Sequence, residues 1–267
     1  MTTLALYSNK GGVGKTAAAV NLAYLSALGG ATTLICDLDP QGATTYYLRA
    51  KPRLQRQARG LAKAGKAIEA SIKATDYPNL DLLPADFTHR NLDIVFDGLK
   101  QPRRQLAKAL KPLAKTYDLL IVDCPPTINI LAEAIFDAAD YLLTPLIPTT
   151  LSLLAYRQML DFLAASNDAP ERVFAFWSMV DRRKKLHRQL CAQPAAANER
   201  ILKSSIPYAT EIEQMGVNRQ PTPVFAQRSA AAGAYHALWA EVRTSILHLG
   251  PAEKASSAAP STPGDGS

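Results

Sequence analysis

The chain of 267 residues is 48% hydrophobic and 20% charged, the balance of a globular protein, so fibrous and wholly disordered classes are excluded. Its 30 Lys+Arg against 23 Asp+Glu leave a net charge of +7, which suits a polyanionic partner without specifying one. Cys36, Cys124 and Cys191 lie far apart with no CxxC or histidine companions, which argues against a disulfide framework or a zinc site and fits a reducing cytoplasm; no apolar run reaches the ~18 residues of a membrane span.

Leu4 to Tyr7 is a short apolar run, followed by Gly11, Gly12 and Gly14 and then by Lys15-Thr16, which open an apolar-periodic helix that Gly29-Gly30 end near Leu28. This is a strand, a phosphate loop and a helix. Glycines let the backbone close around a polyphosphate so that successive N–H groups converge on its oxygens, and the positive helix end adds to the attraction. Lys15 would neutralise the β- and γ-phosphates, and the Thr16 hydroxyl would complete a Mg²⁺ shell. The common pattern asks for a glycine where Asn9 stands, and a second lysine, Lys10, begins the loop.

The run Lys10-Gly11-Gly12-Val13-Gly14-Lys15-Thr16 resembles the deviant Walker A loop of the ParA/MinD family of ATPases. The resemblance implies an α/β P-loop NTPase, a doubly wound, mostly parallel sheet flanked by helices on both faces, with ATP and Mg²⁺ as cofactors. It also implies that residues Lys10 to Ala17, namely Lys10, Gly11, Gly12, Val13, Gly14, Lys15, Thr16 and Ala17, surround the nucleotide. Lys10 and Lys15 are then the catalytic cations, Lys10 reaching across an ATP-dependent homodimer to the other subunit's phosphates.

Thr32 to Cys36 reads as a buried second strand running into Asp37-Leu38-Asp39-Pro40-Gln41-Gly42. Carboxylates at the C-terminal end of a parallel strand stand where ligands bind in open sheets. The segment resembles the family's second nucleotide motif, with Ala43 in place of an asparagine. That resemblance assigns Asp39 to the attacking water and Asp37 to the loop and the Mg²⁺ shell. From Arg49 to Lys73, eight basic residues face a single Glu69, either a polyanion surface or a solvated helical face. Leu80 to Pro84 is a third strand, and Lys100 to Lys115 an amphipathic helix packed on the sheet. In Tyr117 to Pro126, the apolar run Leu119 to Val122 ends in Asp123, as in a strand that sets a carboxylate beside the phosphate loop to hold Mg²⁺, usually through water.

Tyr141 to Pro148 and Val173 to Met179 supply two more strands, with a helix from Leu151 to Ala165 between them. Arg182, Arg183, Lys184, Lys185 and Arg188 then crowd into one short stretch after Asp181. It resembles a family D-x-R segment, which implies that Arg183 and its neighbours contact DNA, or else it is a basic cap at a strand end. His187 is expected at the surface or facing phosphate. Ile201 to Pro207 and Gly216 to Pro223 resemble the region that closes over adenine, which brings Pro207 to the nucleotide. Ala209 and Glu211 stand where an asparagine and an arginine are usual, so Arg219 and Arg228 are expected to supply DNA contacts instead. A helix from Ala231 to Leu247 buries Tyr235, Leu238, Trp239 and Val242.

We therefore expect one ATPase domain over residues 1–249 and a disordered tail over 250–267. A strand beginning near Met1 leads us to expect no N-terminal helix-turn-helix. The resemblance implies a cytoplasmic, nucleoid-associated positioning ATPase. ATP drives dimerisation, the dimer binds double-stranded DNA without sequence preference, and a ParB-like or analogous adaptor stimulates hydrolysis. Chromosome, plasmid, carboxysome or chemotaxis cluster would all serve as cargo. A MinD-like membrane switch would need a C-terminal basic amphipathic helix, which the tail lacks. A metabolic or iron–sulfur-assembly relative would need cluster-bridging cysteines, and the spacing here does not resemble theirs.

Overall fold

In a computed structural model of the chain, the described residues are 1–51, 66–85, 98–165, 169–193 and 200–248. Arg53, Arg56, Arg59 and Lys63 of the first basic run, and the tail 250–267, lie outside them.

Apolar runs without polar alternation make the central strands: β1 Thr2–Leu6, β2 Thr33–Asp37, β5 Leu119–Asp123 and β6 Tyr141–Leu146 are buried along nearly their whole lengths. Such runs belong to a parallel sheet covered on both faces. With β3 Lys73–Ala74, β4 Leu80–Leu83, β7 Val173–Val180 and β8 Ile201–Pro207, they form an eight-stranded sheet in the order β3-β4-β2-β5-β1-β6-β7-β8. Every neighbouring pair is parallel except β3–β4, a two-residue antiparallel edge. β1 lies between β5 and β6, and the chain leaves it toward β2 on one side while passing from β5 to β6 on the other. That reversal opens a crevice at the strands' C-terminal ends.

Alternate residues of each strand feed the two sides. Leu4, Leu6, Ile35, Leu119 and Ile121 pack with α1 (Lys15–Leu28) and the last helix. Ala5, Tyr7, Leu34, Cys36, Leu120 and Val122 pack with the helices of the opposite face. In chain order after α1, the helices of the two faces include α2 (Ala43–Tyr47), α3 (Pro102–Leu110), α4 (Ile130–Ala138), α5 (Thr150–Ala165), α6 (Lys185–Ala192) and, on the α1 face, α7 (Ala230–Ser245).

The expected helix over Lys100 to Lys115 is shorter than its pattern. Regular helix stops at Leu110, and Lys111–Lys115 tighten into a 3₁₀ turn, since Pro112 offers no backbone N–H. Helix α4, which the sequence pattern does not single out, is fixed by Asn129, whose Oδ1 accepts from the N–H groups of Leu131 and Ala132 at 3.2 and 3.3 Å. A cap of this kind contributes about 1 kcal/mol. Tyr235, Leu238, Trp239 and Val242 of α7 are buried, as their spacing requires. Among the described residues, no helix is long and apolar enough to cross a membrane.

Candidate active site

The loop after β1 starts in sheet register, Tyr7 N donating to Leu143 O at 3.1 Å. It turns through two residues in the left-handed region, Gly12 at φ +69° and Gly14 at φ +92°. At Gly14 a second constraint applies, because an added Cβ would lie 2.8 Å from Ser178 Oγ. At Gly11 and Gly12 an added Cβ would point into open space over the loop. Lys15 is buried and its Nζ donates to Lys10 O at 3.0 Å. Burial lowers its pKa, while Asp123, Cys124 and Asp39 oppose that fall. Lys10 Nζ rests on Leu151 O of α5 at 3.0 Å, and its backbone N–H on Ser8 Oγ at 3.2 Å.

Strand register brings the carboxylates together. Asp37 of β2 stands opposite Asp123 of β5, which stands opposite Leu6 of β1. Both aspartates are fully buried. Asp37 Oδ2 accepts from Thr45 N at 2.8 Å and Thr45 Oγ1 at 2.7 Å, while Asp123 Oδ2 accepts from Thr44 Oγ1 at 2.8 Å. One short helix, α2, thus grips both carboxylates through adjacent threonines. It can begin there because Gly42 takes φ +66° at its cap. Asp37 Oδ1 and Asp123 Oδ1 are buried without a hydrogen-bond partner.

Burial raises the pKa of both groups. The Asp123 charge raises Asp37 further, and the Thr45 bonds oppose the rise. At Asp123 the Thr44 and Thr16 hydroxyls oppose it and Asp39 adds to it. Two buried carboxylates in contact resist ionising together unless a cation joins them. Asp39 stands at the half-buried mouth, in a turn where its Oδ1 accepts from Gln41 N and its carbonyl from Gly42 N, both at 2.9 Å. The Cys36 and Cys124 thiols alongside are fully buried and pushed well up by that burial, so neither is a nucleophile.

On the other side of Gly14, a pocket is lined by Ser178, Met179, Pro207, Tyr208, Ala209 and Ile212. The β7–β8 pairing slips register here, and Met179 takes φ +55°. Pro207 and Gly14 line this same pocket, to which Ala209 presents only a methyl group. Asn21 of α1 anchors the segment beyond: its Oδ1 accepts from Thr222 N at 2.8 Å, and its Nδ2 donates to Ala17 O at 2.7 Å and faces Met215 Sδ at 3.3 Å.

Arg182, Arg183, Lys184, Lys185 and Arg188 are all exposed on the turn from β7 into α6. Arg183 pairs with Asp181 through two bonds of 2.9 and 3.0 Å, which hold the Asp181 carboxyl at about 2. Arg188 donates to the carbonyls of Arg182 and Arg183 at 2.7 and 3.1 Å, so the turn is ordered. His187 corrects the sequence reading: it is buried, and its Nδ1 accepts from Asp181 N at 3.1 Å. The reason is α6 itself, which puts His187 on the inward face with Leu190. Arg228 is exposed; Arg219 is half-buried. Its Nε donates to Tyr46 O at 3.0 Å and its guanidinium stands 4.6 Å from the Tyr46 ring centroid.

The sequence reading did not find Thr44, Thr45, Asn21 or Ser178. Thr44-Thr45 directly follow the aspartate motif, the one local signal that pointed to them.

Residues 1–173 match the family model described as AAA domain. The chromosome-partitioning ATPase Soj of Treponema pallidum is 29% identical over 250 residues, covering 90% of this chain and 96% of that protein. The chromosome partitioning protein ParA of Caulobacter vibrioides is 28% identical over 251 residues, covering 91% and 94%. Among solved structures, an ATP complex of a Cyanothece McdA variant shares the fold with a TM-score of 0.77 at 22% identity, covering 95% of this chain and 99% of that one.

Proposed function

The chain belongs to the ParA/MinD ATPases within this AAA-domain family, and on that premise we propose that it positions a cargo along DNA. Residues 1–249 act as one ATPase domain. Its ATP-bound homodimer holds double-stranded DNA without sequence preference, in association with the nucleoid, and an adaptor protein releases it by stimulating hydrolysis.

The residues present suit Mg·ATP. Gly12 and Gly14 leave the loop backbone free to close on phosphates, with Gly11, Val13, Thr16 and Ala17 completing the cradle. Asp37 Oδ1 and Asp123 Oδ1 are buried and unpartnered, a costly arrangement that a cation would relieve. Thr16, Asp37 and Asp123 would hold Mg²⁺, which supplies neutralisation of phosphate charge when bound. Lys15 would turn its Nζ from Lys10 O to the phosphates. Asp39, in its turn at the mouth, would orient the attacking water, and Thr44 and Thr45 keep the two buried carboxylates from turning away. Pro207 closes one wall of the base pocket. Lys10 would release Leu151 O, one exposed bond worth about 1 kcal/mol, to reach the other subunit's phosphates. Dimerisation and ATP binding are then linked.

The observation that carries the DNA reading is the ordered turn bearing Arg182, Arg183, Lys184, Lys185 and Arg188, all exposed. Arg228, also exposed, would add a further cation for DNA. Charges of this kind track phosphates, and two copies joined by ATP add their contacts on one polyanion. Replacing the five residues with alanine should weaken DNA binding in ATP and reduce the salt slope by about one for each DNA phosphate no longer neutralised. Dimerisation should persist. Unchanged affinity and slope in the fivefold variant would remove the DNA role from this turn.

A further inference from the structure

Two arginines interlock beside the candidate active site. Arg219 Nε donates to Tyr46 O at 3.0 Å, with its guanidinium over the Tyr46 ring at 4.6 Å. Arg49, just past α2, returns the contact: its Nε donates to Arg219 O and a terminal nitrogen to Asn218 O, both at 3.1 Å. Both residues take a left-handed backbone, Arg49 at φ +58° and Arg219 at φ +51°. For a residue with a long side chain this is strained and persists only where surrounding contacts hold it. Asp76 Oδ2 lies 3.7 Å from Arg49 and adds a weak restraint.

What the clasp joins gives it meaning. On one side Tyr208, Ala209 and Ile212 line the base pocket, and two short helical turns, Thr210–Glu213 and Met215–Asn218, lead from there to Arg219. Asn21 pins the far end of that segment at Thr222 N. On the other side Tyr46 belongs to α2, whose Thr44 and Thr45 grip Asp123 and Asp37. The cap of α2, Gly42, is bonded to Asp39 O at 2.9 Å. The pocket wall is thus joined, through these two turns and the arginine pair, to the helix that holds Asp37 and Asp123 and to the turn of Asp39.

We propose that Arg219 and Arg49 are positioning residues that couple occupation of the base pocket to the placement of Asp37, Asp39 and Asp123, so that the base sets the rate of hydrolysis and not only the affinity. Arg219 acts through Tyr46 and touches neither nucleotide nor DNA. The proposal rests on the ATPase reading but not on DNA positioning, whose failure would appear separately as absence of ATP-dependent DNA binding.

The test compares kcat at saturating Mg·ATP and Mg·GTP for the full chain and its variants. The wild type should turn over ATP faster than GTP by about tenfold, within the range of couplings carried by contiguous packed side chains. Arg219→Ala should bring kcat for ATP down to the GTP value with KM for ATP changed less than about threefold, the pattern of an interaction that acts only on the chemical step. Arg49→Ala combined with Arg219→Ala should be no worse than Arg219→Ala alone, since the pair acts as a unit. Arg219→Lys should recover part of the loss. Tyr46→Leu, at a half-exposed ring, removes the stacking surface without a buried cavity and should shift kcat in the same direction if Arg219→Ala folds poorly. Equal wild-type kcat for the two nucleotides would overturn the proposal. So would a fall in both rates that preserves their ratio, or a change confined to KM. Reduced DNA affinity in Arg219→Ala with normal kcat would return Arg219 to the DNA surface.

Discussion

The buried pair Asp37 and Asp123 should make the nucleotide-free protein lose stability as pH rises. Both carboxyls are raised above their ordinary value of 3.8, chiefly by burial. A carboxyl whose folded pKa exceeds its unfolded one binds protons more tightly when folded, so its contribution is most favourable below the unfolded value and is lost as pH climbs through the folded one. Burial raises Asp37 to about 8 and Asp123 to about 6, so at about 1.4 kcal/mol for each pKa unit ionising Asp123 alone costs about 3 kcal/mol. For a chain of this length that is a fall in Tm of about 5–10 °C. His187 works in the opposite sense: burial lowers its pKa from 6.5, so its contribution grows with pH up to that value and is then complete. The assay is thermal melting across about pH 5 to 8, nucleotide-free and with Mg·ADP. The nucleotide-free Tm should fall as pH climbs through about 6 and on toward about 8, and Mg·ADP should flatten the slope, because the cation favours both ionised carboxylates. Asp123→Asn should flatten it without nucleotide. Parallel curves with and without Mg·ADP would refute the reasoning, since the cation would then not be meeting these groups.

Lys15→Ala should abolish ATP binding by calorimetric titration, as the loop loses its buried cation; retained affinity would remove the phosphate-loop assignment. Asp39→Ala should bind ATP and dimerise yet hydrolyse slowly, accumulating an ATP-bound dimer on size exclusion; normal turnover would place the attacking water elsewhere. Gly14→Ala sets a Cβ 2.8 Å from Ser178 Oγ at φ +92°. It should cost about 2 kcal/mol or more in stability and weaken ATP binding, whereas an unchanged melting curve would show that the loop relaxes freely.

Legibility followed how local the determining physics is. Helix α1 falls on the residues its sequence indicates, Lys15–Leu28, because the phosphate loop starts it and Gly29-Gly30 stop it. The strands carrying Asp37 and Asp123 were equally plain, being unbroken apolar runs that end in a carboxylate. Thr44 and Thr45 were not, because their partners lie across the β2–β5 register, and beyond their place after the aspartate motif two uncharged hydroxyls in a short helix give no signal until that register is known. His187 was misjudged because charge and polarity describe a side chain's chemistry, whereas its place on α6 decides which way it faces. The edge strand β3 is two residues of antiparallel pairing, too short for any periodicity to show.

Nucleotide-dependent DNA binding is the property that most directly separates a DNA-positioning ATPase from its alternatives. The full-length chain should be titrated against unrelated duplexes in ATP, in ADP and without nucleotide at several salt concentrations. Affinity should ignore sequence, fall steeply with salt, and be much higher in ATP than in ADP, because only the ATP-bound dimer sets two basic surfaces on one polyanion. Absence of DNA binding in ATP, or equal binding in ATP and ADP, would contradict the DNA-positioning reading.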